Sequence, residues 1–377
     1  MCAHKPLSTV EVRKQNRNRV YRRLTDSWEP VTKQNLAFLL SMSLPTLSQN
    51  LNELAEMGLI DRSSTTDSTG GRRPRLITPL PNARFALGAE LTGGDLRLVA
   101  VNLRQEPLAY QKILLPFANT PEYGAHLFEL IESFLDKNHL DRAKLLGVSL
   151  ALPGIIGPGQ DAIEYAPTIG IHSSTPCRFT QAISYPLLLD NDANCGGFGE
   201  WWDHTEPQSM AYLSLSQGVG GAILVGGKLY DGVSHRAAEF GHLCLHPGGR
   251  RCHCGRQGCL EAYCSAARLS TDLNISMETF FHRLSQGDAT CQSVWQDYLD
   301  DLALAVTTIH TILDCPVLIG GSVSQYLPPF RAQLAARIQA LDPLSPQADF
   351  FSVCPNSSHS VCIGAATRLL DRFIREI

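Results

Sequence analysis

Three cysteines and one histidine lie close together in the second half of the chain, in a pattern that suits a metal ion. Cys252, Cys254 and Cys259 fall within eight residues, and His242 lies ten residues before the first of them. Three thiolates and an imidazole are a common closed, tetrahedral set for zinc, and closed sites are structural. The density of thiols disfavours unligated cysteines, so the sequence predicts one structural Zn²⁺ per chain. Competing donors in the same stretch are Cys244, His246, His253 and Cys264.

Carboxylate and amide side chains follow an apolar segment in the middle of the chain. The leucines at 187–189 run into Asp190-Asn191-Asp192-Ala193-Asn194. Strand ends of this kind often carry site residues in α/β proteins. Asp192 could act as a base toward a hydroxyl, and Asn191 could hydrogen-bond a polyol. The alternative, which the segment alone favours, is a helix cap, because Asp and Asn are preferred capping residues.

Two glycine-containing segments, residues 85–101 and 211–225, have the same pattern of an apolar strand, a turn and a second apolar strand. Such hairpins can offer backbone N–H groups to phosphate oxygens. Either turn alone is weak evidence, because most glycine-rich turns are only turns. Their recurrence predicts two related lobes with a cleft between them.

The first eighty residues contain three helical patterns, at 12–24, from Thr32 onward and at 45–57, where Ser43 is a candidate cap. A short link between the second and third helices is typical of a helix-turn-helix. The third helix has small or amide side chains that can bind base edges in a major groove. A solvated polar face is the alternative. The candidate DNA-binding residues of this helix are Thr46, Ser48, Gln49 and Asn50.

A basic segment follows this third helix. Gly58 ends the helix, a strand begins at 59–60, and a polar stretch leads to a second strand at 76–77. This stretch ends in Arg72, Arg73 and Arg75, here called the wing arginines, which could contact phosphates or enter a narrow minor groove. A basic linker between domains is the alternative. A helix-turn-helix followed by a basic hairpin favours a winged helix.

Charge is divided unequally along the 377 residues. Residues 1–80 hold twelve Lys/Arg and seven Asp/Glu, a net charge of +5, whereas the remainder carries −9. A basic head on an acidic body is typical of nucleic-acid binding by the head. The chain begins without the apolar run of a signal peptide and has no apolar stretch of 18 residues. We therefore expect a cytoplasmic protein of two or three domains with reduced cysteines and no membrane contact.

Taken together, these segments resemble the ROK family, whose name stands for repressor, open reading frame and kinase, and the resemblance covers nearly the whole chain. Glu239-Phe240-Gly241-His242, followed by Cys252-x-Cys254-Gly255-x-x-Gly258-Cys259-x-Glu261, is similar to its zinc signature. Residues 191–194 resemble its catalytic segment, 151–154 its sugar-contacting loop and 318–324 its adenosine-side segment. The basic winged helix distinguishes the family's regulators from its kinases.

The resemblance implies a mostly α-helical N-terminal winged helix-turn-helix, followed by an α/β actin/hexokinase-like two-lobed ATPase fold around a sugar cleft. It implies that His242 serves twice, with one ring nitrogen on zinc and the other toward the sugar, because a metal-held imidazole has a fixed tautomer and direction. The sugar-binding residues that it implies are Gly154, Asn191, Asp192, Glu239, His242 and Glu261.

The two phosphate loops depart from the family's kinases. Those kinases read Asp-x-Gly-Gly-Thr in the first loop, whereas here the segment is Glu90-Leu91-Thr92-Gly93-Gly94. The second loop is usually Gly-Thr-Gly-x-Gly, and here it is Ser216-Gln217-Gly218-Val219-Gly220. Phosphoryl transfer needs tight positioning of phosphates and metal, so these changes count against ATP binding. Asp192 remains as the catalytic base if kinase activity is retained.

The leading prediction is a sugar-responsive transcriptional regulator, a repressor of carbohydrate-metabolism genes, that binds operator DNA as a homodimer or homotetramer. The alternatives are an ATP-dependent sugar kinase with an appended DNA-binding domain and a regulator controlled by a protein partner. We expect a winged-helix domain over 1–81, a first lobe over 82–190 completed by a C-terminal helix at about 361–377, and a second lobe over 191–360 with the zinc site and the oligomerisation surface.

Overall fold

The N-terminal unit contains three helices and three short strands. The computed structural model of the chain describes residues 8–64, 75–202, 209–342, 344, 347–354 and 359–377. The elements of this unit are α1 (Thr9–Thr25), β1 (Val31–Thr32), α2 (Lys33–Leu40), α3 (Leu44–Glu56), β2 (Ile60–Asp61) and β3 (Leu76–Pro79). Thr32 and Ser43 cap α2 and α3, as predicted, by accepting hydrogen bonds from N–H groups of the first turn. Strand β3 lies between β1 and β2 and is antiparallel to both. The three helices and the antiparallel strands agree with the predicted DNA-binding head, while residues 65–74, at the tip of the predicted wing, lie outside the described residues.

The first of two large sheets follows directly. The elements of this part are β4 (Phe85–Leu91), β5 (Asp95–Asn102), β6 (Pro107–Leu114), α4 (Pro121–Lys137), β7 (Leu145–Leu152), β8 (Ile155–Ile156), β9 (Ala162–Tyr165), β10 (Thr175–Pro176), β11 (Leu187–Asn191) and α5 (Asp192–Trp202). The large sheet has the order β11-β7-β4-β5-β6, in which β4, β5 and β6 form an antiparallel meander and β7 and β11 run parallel to β4. Strands β8 to β10 form a small separate sheet.

The second large sheet repeats this plan. The remaining elements are β12 (Met210–Leu215), β13 (Val219–Val225), β14 (Lys228–Leu229), α6 (Glu261–Cys264), α7 (Ala266–Leu269), α8 (Met277–Ser285), α9 (Ala289–Leu313), β15 (Val317–Gly320), α10 (Arg331–Leu341), β16 (Phe351–Val353) and α11 (Ser360–Glu376). The sheet order is β14-β13-β12-β15-β16, again a meander extended by two parallel strands. The two predicted hairpins, β4-β5 and β12-β13, therefore occupy equivalent places in two related lobes.

Helices on both sides of the sheets bury the apolar faces of the strands. In the first lobe, α4 contributes Leu127, Ile131 and Phe134 to the core beside the sheet, a spacing of four and three residues that forms one helical stripe. In the second lobe, α9 is the central helix of the core. Helix α5 contacts strands of both sheets, and α11 packs on α5 and on β4, β5 and β7.

The winged helix and the first lobe share one hydrophobic core. Leu47 and Leu51 of α3 and Tyr21 of α1 belong to the same buried cluster as Val99 of β5 and Leu370 of α11. The C-terminal helix is therefore buried between the head and the sheet. Among the described residues, no helix combines the length and apolar character needed to cross a bilayer.

Candidate functional site

The predicted metal ligands converge on one point. The donor atoms of His242, Cys252, Cys254 and Cys259 all lie within 4.8 Å of one another. Cys254 Sγ is 3.7 Å from Cys259 Sγ, and His242 Nδ1 is 3.8 Å from Cys252 Sγ. A tetrahedron with Zn–S bonds of about 2.3 Å has S···S edges of about 3.8 Å. The chemistry and spacing of this donor set therefore fit zinc.

Backbone geometry explains how the loop brings the three thiols together. Cys252 N–H donates to Arg256 O at 2.9 Å, which closes a turn around Cys254. Gly258 has φ +87°, and a Cβ there would lie 2.0 Å from His246 O, so only glycine fits. These backbone contacts bring the three thiols to one side of the loop.

The competing donors lie elsewhere in the loop. His246 Nε2 is 2.5 Å from Asp301 Oδ1, and His253 is exposed. Cys264 is buried and donates to Tyr298 O at 3.9 Å, whereas Cys244 is exposed. Within the described ranges, the structure groups only the four predicted ligands as a candidate metal site.

The expected sugar-binding residues of the first lobe meet at the end of β11. Asn191 Nδ2 donates to Gly154 O at 2.8 Å, and Asn191 Oδ1 accepts from the N–H groups of Ala193 and Asn194 at 2.8 and 3.0 Å. Asn191 therefore caps α5, as the segment alone favoured, and also ties the 151–154 loop to the helix. Gly154 has φ +104°, and a Cβ there would lie 2.3 Å from Tyr165 O. The two residues form one rigid corner at the start of α5.

Asp192 is the first residue of α5 and is partly buried. Burial raises the pKa of the Asp192 carboxyl to about 7, and the charges of Glu90 and Glu239 add to the rise, while a hydrogen bond from Ala193 N–H opposes it. Three carboxylates from three segments of the chain thus act on each other electrostatically. Such a group suits either a proton acceptor or an acceptor for sugar hydroxyls.

The second lobe contributes residues that continue into the metal loop. His242 Nε2 lies 3.9 Å from Glu239 Oε2, while Nδ1 of the same ring faces Cys252. Glu261 Oε2 accepts from Val219 N–H at 3.1 Å, and Glu261 Oε1 is 3.4 Å from Cys252 Sγ. One ring nitrogen of His242 thus faces the metal position and the other faces a candidate sugar carboxylate.

The first glycine turn is closed on itself. Thr92 Oγ1 accepts from Asp95 N–H at 2.9 Å and from Gly94 N–H at 3.3 Å. Glu90, which stands where the kinases have Asp, is 2.9 Å from Arg97 Nη1 on the paired strand. The backbone donors and the carboxylate that a phosphate loop would offer to a nucleotide and its metal are therefore already engaged.

The second turn is also occupied in part. Val219 N–H is used by Glu261, and Ser216 Oγ accepts from Ser322 N–H at 3.2 Å in the adenosine-like segment. Ser216 N–H donates to Gly218 O at 2.9 Å. These contacts hold the turn, the metal loop and the segment after β15 together.

The candidate DNA-binding residues of α3 do not all share one exposed face. Gln49 is exposed, and Thr46 and Ser48 are partly exposed. Asn50 is only 3% exposed and donates to Thr46 O at 2.7 Å, because it lies three residues after Leu47 and four before Leu54 on the buried stripe. In this fold Asn50 is a core residue, contrary to the expectation of a DNA contact.

Two of these residues also have contacts within the head, and only one wing arginine is described. Lys33 of α2 donates to Ser48 Oγ, and with its amide oxygen turned to α1 Gln49 accepts from Arg13 at 3.0 and 3.2 Å. Arg75 is exposed next to β3, whereas Arg72 and Arg73 lie outside the described residues. The exposed face available for DNA is thus Thr46, Ser48, Gln49 and Arg75.

Two ion pairs near the site were not predicted from the sequence. Glu90 and Arg97 face each other across the β4-β5 hairpin, and the strand register around the turn would have paired them. Asp190 is buried and lies 3.1 Å from Arg368 Nε of α11, a contact for which no local pattern exists.

Comparison with known proteins agrees with this architecture. The model of the ROK family matches residues 86–367. The chain is 23% identical to the xylose repressor of Bacillus subtilis (strain 168), over 92% of each chain, and 24% identical to the DNA-binding transcriptional dual regulator NagC of Escherichia coli (strain K12), over 76% of this chain and 72% of that one.

Solved structures share the fold. A ROK family transcriptional regulator described as a homologue of the E. coli MLC protein superposes with a TM-score of 0.76 at 23% identity, covering 97% of both chains. A ROK family glucokinase from Streptomyces griseus, in complex with glucose and AMPPNP, superposes with a TM-score of 0.61 at 21% identity, covering 75% of this chain and 98% of that one. The two-lobed body and the winged helix are both accounted for, and the chain belongs to the ROK family.

Proposed function

We propose that this chain is a sugar-responsive transcriptional repressor. Its winged helix binds operator DNA, and the cleft between its lobes binds a sugar through Gly154, Asn191, Asp192, Glu239, His242 and Glu261. Relatives named as repressors for xylose and for N-acetylglucosamine support this function. The match to the xylose repressor covers 92% of this chain and therefore extends beyond the two lobes into the head.

The observation that carries the proposal is the contrast between the two halves of the cleft. The carboxylate of Glu239 makes no hydrogen bond within the described residues, and that of Asp192 accepts one, from Ala193 N–H, whereas Thr92 and Arg97 occupy the groups that a phosphate loop would present. A site that can bind a sugar but not position a phosphoryl group can sense without turning over.

We propose that the metal loop holds one zinc ion through His242, Cys252, Cys254 and Cys259. Bound zinc would act structurally. It would hold the His242 ring in one orientation, and the position of the ring nitrogen that faces Glu239 would be fixed as a result. The loop also carries Glu261, so its folding would set two of the sugar contacts.

We also propose the domain division of 1–81, 82–190 with the C-terminal helix, and 191–360, and a homodimer or homotetramer as the DNA-bound form. The packing of α11 on β4, β5 and β7 supports assigning this helix to the first lobe. A symmetric dimer would place two recognition helices in half-sites about one DNA turn apart.

The test is operator affinity with and without sugar. An operator is first selected from random duplex DNA by the full chain, and a thermal-shift panel containing D-xylose, N-acetylglucosamine, their phosphates and D-glucose identifies the stabilising sugar. We expect that sugar to change operator affinity about 5–150-fold. Unchanged affinity at saturating sugar would refute the proposal.

A sugar kinase is the second candidate, and the near-neutral pKa of Asp192 favours it, because a base works best when its pKa lies near the operating pH. A coupled assay with ATP and the same sugars decides between them. Turnover on the order of 1 per second or faster would make the kinase the primary function.

A further inference from the structure

A polar contact joins the corner of the candidate sugar site to the C-terminal helix. Asp190 Oδ1 accepts from Asn191 N–H at 2.8 Å and from Asn194 Nδ2 at 3.1 Å, so this buried carboxylate holds the turn that carries Asn191 and Asp192. Asp190 Oδ2 lies 3.1 Å from Arg368 Nε of α11. The guanidinium also covers the Phe198 ring of α5 at 4.9 Å. Arg368 thus contacts Asp190 before the first turn of α5 and Phe198 inside the helix.

One helical turn further along α11, the same helix contacts the DNA-binding head. Asp371 Oδ1 is 3.6 Å from Arg22 Nη2 of α1, and Ile374 O accepts a hydrogen bond from Asn18. Arg368 and Asp371 are three residues apart, which places them next to each other along the helix. A path of direct contacts therefore runs from the sugar corner through α11 to the first helix of the head.

The packing beneath this path is too close to absorb a displacement. A Cβ on Gly364 of α11 would lie 1.8 Å from Cys195 O of α5, and a Cβ on Gly199 would lie 2.7 Å from Gly364 Cα. The two helices meet backbone to backbone, without side chains that could change rotamer between them. A shift of α5 must therefore move α11, because close-packed interiors transmit strain.

We propose that α11 carries the sugar signal to the DNA-binding head, with Asp190 and Arg368 as positioning residues at the cleft and Asp371 and Arg22 as the coupling contact at the head. The inference rests on the proposed function and specifies its route. Sugar bound at Asn191 and Asp192 shifts the first turn of α5, α11 follows, and the orientation of α1 changes. The two heads of a dimer then no longer match the half-site spacing.

The test compares two arginine variants of α1 in the full chain. Arg22→Gln removes the contact with Asp371. Arg23→Gln is the matched control: it removes the same charge from α1, but Arg23 pairs with Asp26 inside the head, at 2.8 Å. Operator affinity is measured with and without the stabilising sugar of the panel, and sugar affinity is measured without DNA.

Arg22→Gln is expected to reduce the ratio of sugar-free to sugar-bound operator affinity by about 2–5-fold, the range of an exposed ion pair. Its sugar affinity stays within about twofold of the parent's, as expected for a residue that contacts no sugar. Arg23→Gln keeps the parent ratio. Asp371→Asn removes the same contact without changing the charge of the head, but it also removes the ion pair of Asp371 with Arg375 on α11, at 2.5 Å, so it should reduce the ratio at least as much as Arg22→Gln. The double variant should lose no more than Asp371→Asn alone.

Three results would overturn the inference: an unchanged ratio in Arg22→Gln, an equal loss in Arg23→Gln, or a loss of sugar affinity in Arg22→Gln. A parent chain whose operator affinity ignores every sugar would instead refute the proposed function itself, so the two failures are distinguished by the parent measurement.

Discussion

Replacing Asp192 with an amide tests the electrostatics of the cleft without any ligand. The pKa of this carboxyl is raised from its ordinary value of 3.8 to about 7 by burial and by the charges of Glu90 and Glu239. The folded state thus holds a proton that the unfolded state releases at lower pH. Asp192 therefore contributes most stability below about pH 4 and loses it progressively up to about pH 7. The amide that Asp192→Asn introduces has no such titration.

The size of the effect follows from the linkage relation. Between pH 5 and pH 7 the loss is at most about 2.7 kcal/mol, from about 1.36 kcal/mol per pH unit. Asp192 is only partly buried, so solvent screening reduces the expected loss to about 1–1.5 kcal/mol. The stability of the variant relative to the parent should rise by this amount from pH 5 to pH 7, with a smaller further rise up to pH 8. In a chain of 377 residues that is about 1–2 °C in Tm.

The assay is thermal unfolding of the full sugar-free chain at pH 5, 6, 7 and 8. Both proteins have the same candidate metal ligands, so the quantity compared is the difference between their Tm values at each pH. Asp297→Asn, at an exposed position of α9, is the matched carboxylate-to-amide control, and its difference from the parent is compared with that of Asp192→Asn at each pH. If the Tm of Asp192→Asn relative to the parent stays constant with pH, or falls as pH rises, the electrostatic explanation is wrong.

Three further predictions concern the metal, the wing and the helix contact. Elemental analysis should find one zinc per chain, which Cys254→Ser loses and the exposed Cys244→Ser retains; full retention by Cys254→Ser would contradict the ligand set. Replacing all three wing arginines with Ala should weaken operator binding and make the log–log salt dependence shallower by about 2–3 units, and an unchanged slope would exclude phosphate contacts. Gly364→Ala should cost more than about 3 kcal/mol in urea unfolding, because its Cβ meets Cys195 O, whereas Gly94→Ala has open space and should cost little; equal costs would contradict the close helix contact.

Short-range patterns in the sequence were sufficient for several features. The caps Thr32 and Ser43, the glycine hairpins and the metal loop were all predicted, because each depends on residues within a few positions of one another. His242 lies ten residues before Cys252, the first of the three predicted thiol ligands, yet the family signature was specific enough to include it. The two-lobed fold followed from the recurrence of the glycine hairpins and from the resemblance to the family.

Tertiary structure decided which of two local readings holds at particular residues. Asn50 was predicted as a DNA contact from its type, but the position of Leu47 and Leu54 on the same stripe places it in the core. Asn191 serves as the cap of α5 as well as a candidate sugar ligand, since its two amide atoms point to different partners. The residue type alone is compatible with both roles at each of these two positions, and only the packing of the folded chain distinguishes them.

Residue types at short fixed spacings were sufficient to predict the family, the candidate metal ligands and the basic head. The burial of α11 between head and lobe and the contact of Arg368 with Asp190 become visible only in the folded chain. These contacts join residues that are far apart in the chain, and their formation depends on how whole helices pack. Local propensity carries no information about such pairs, because the burial of large apolar faces fixes helix positions and polar partners are then set by proximity.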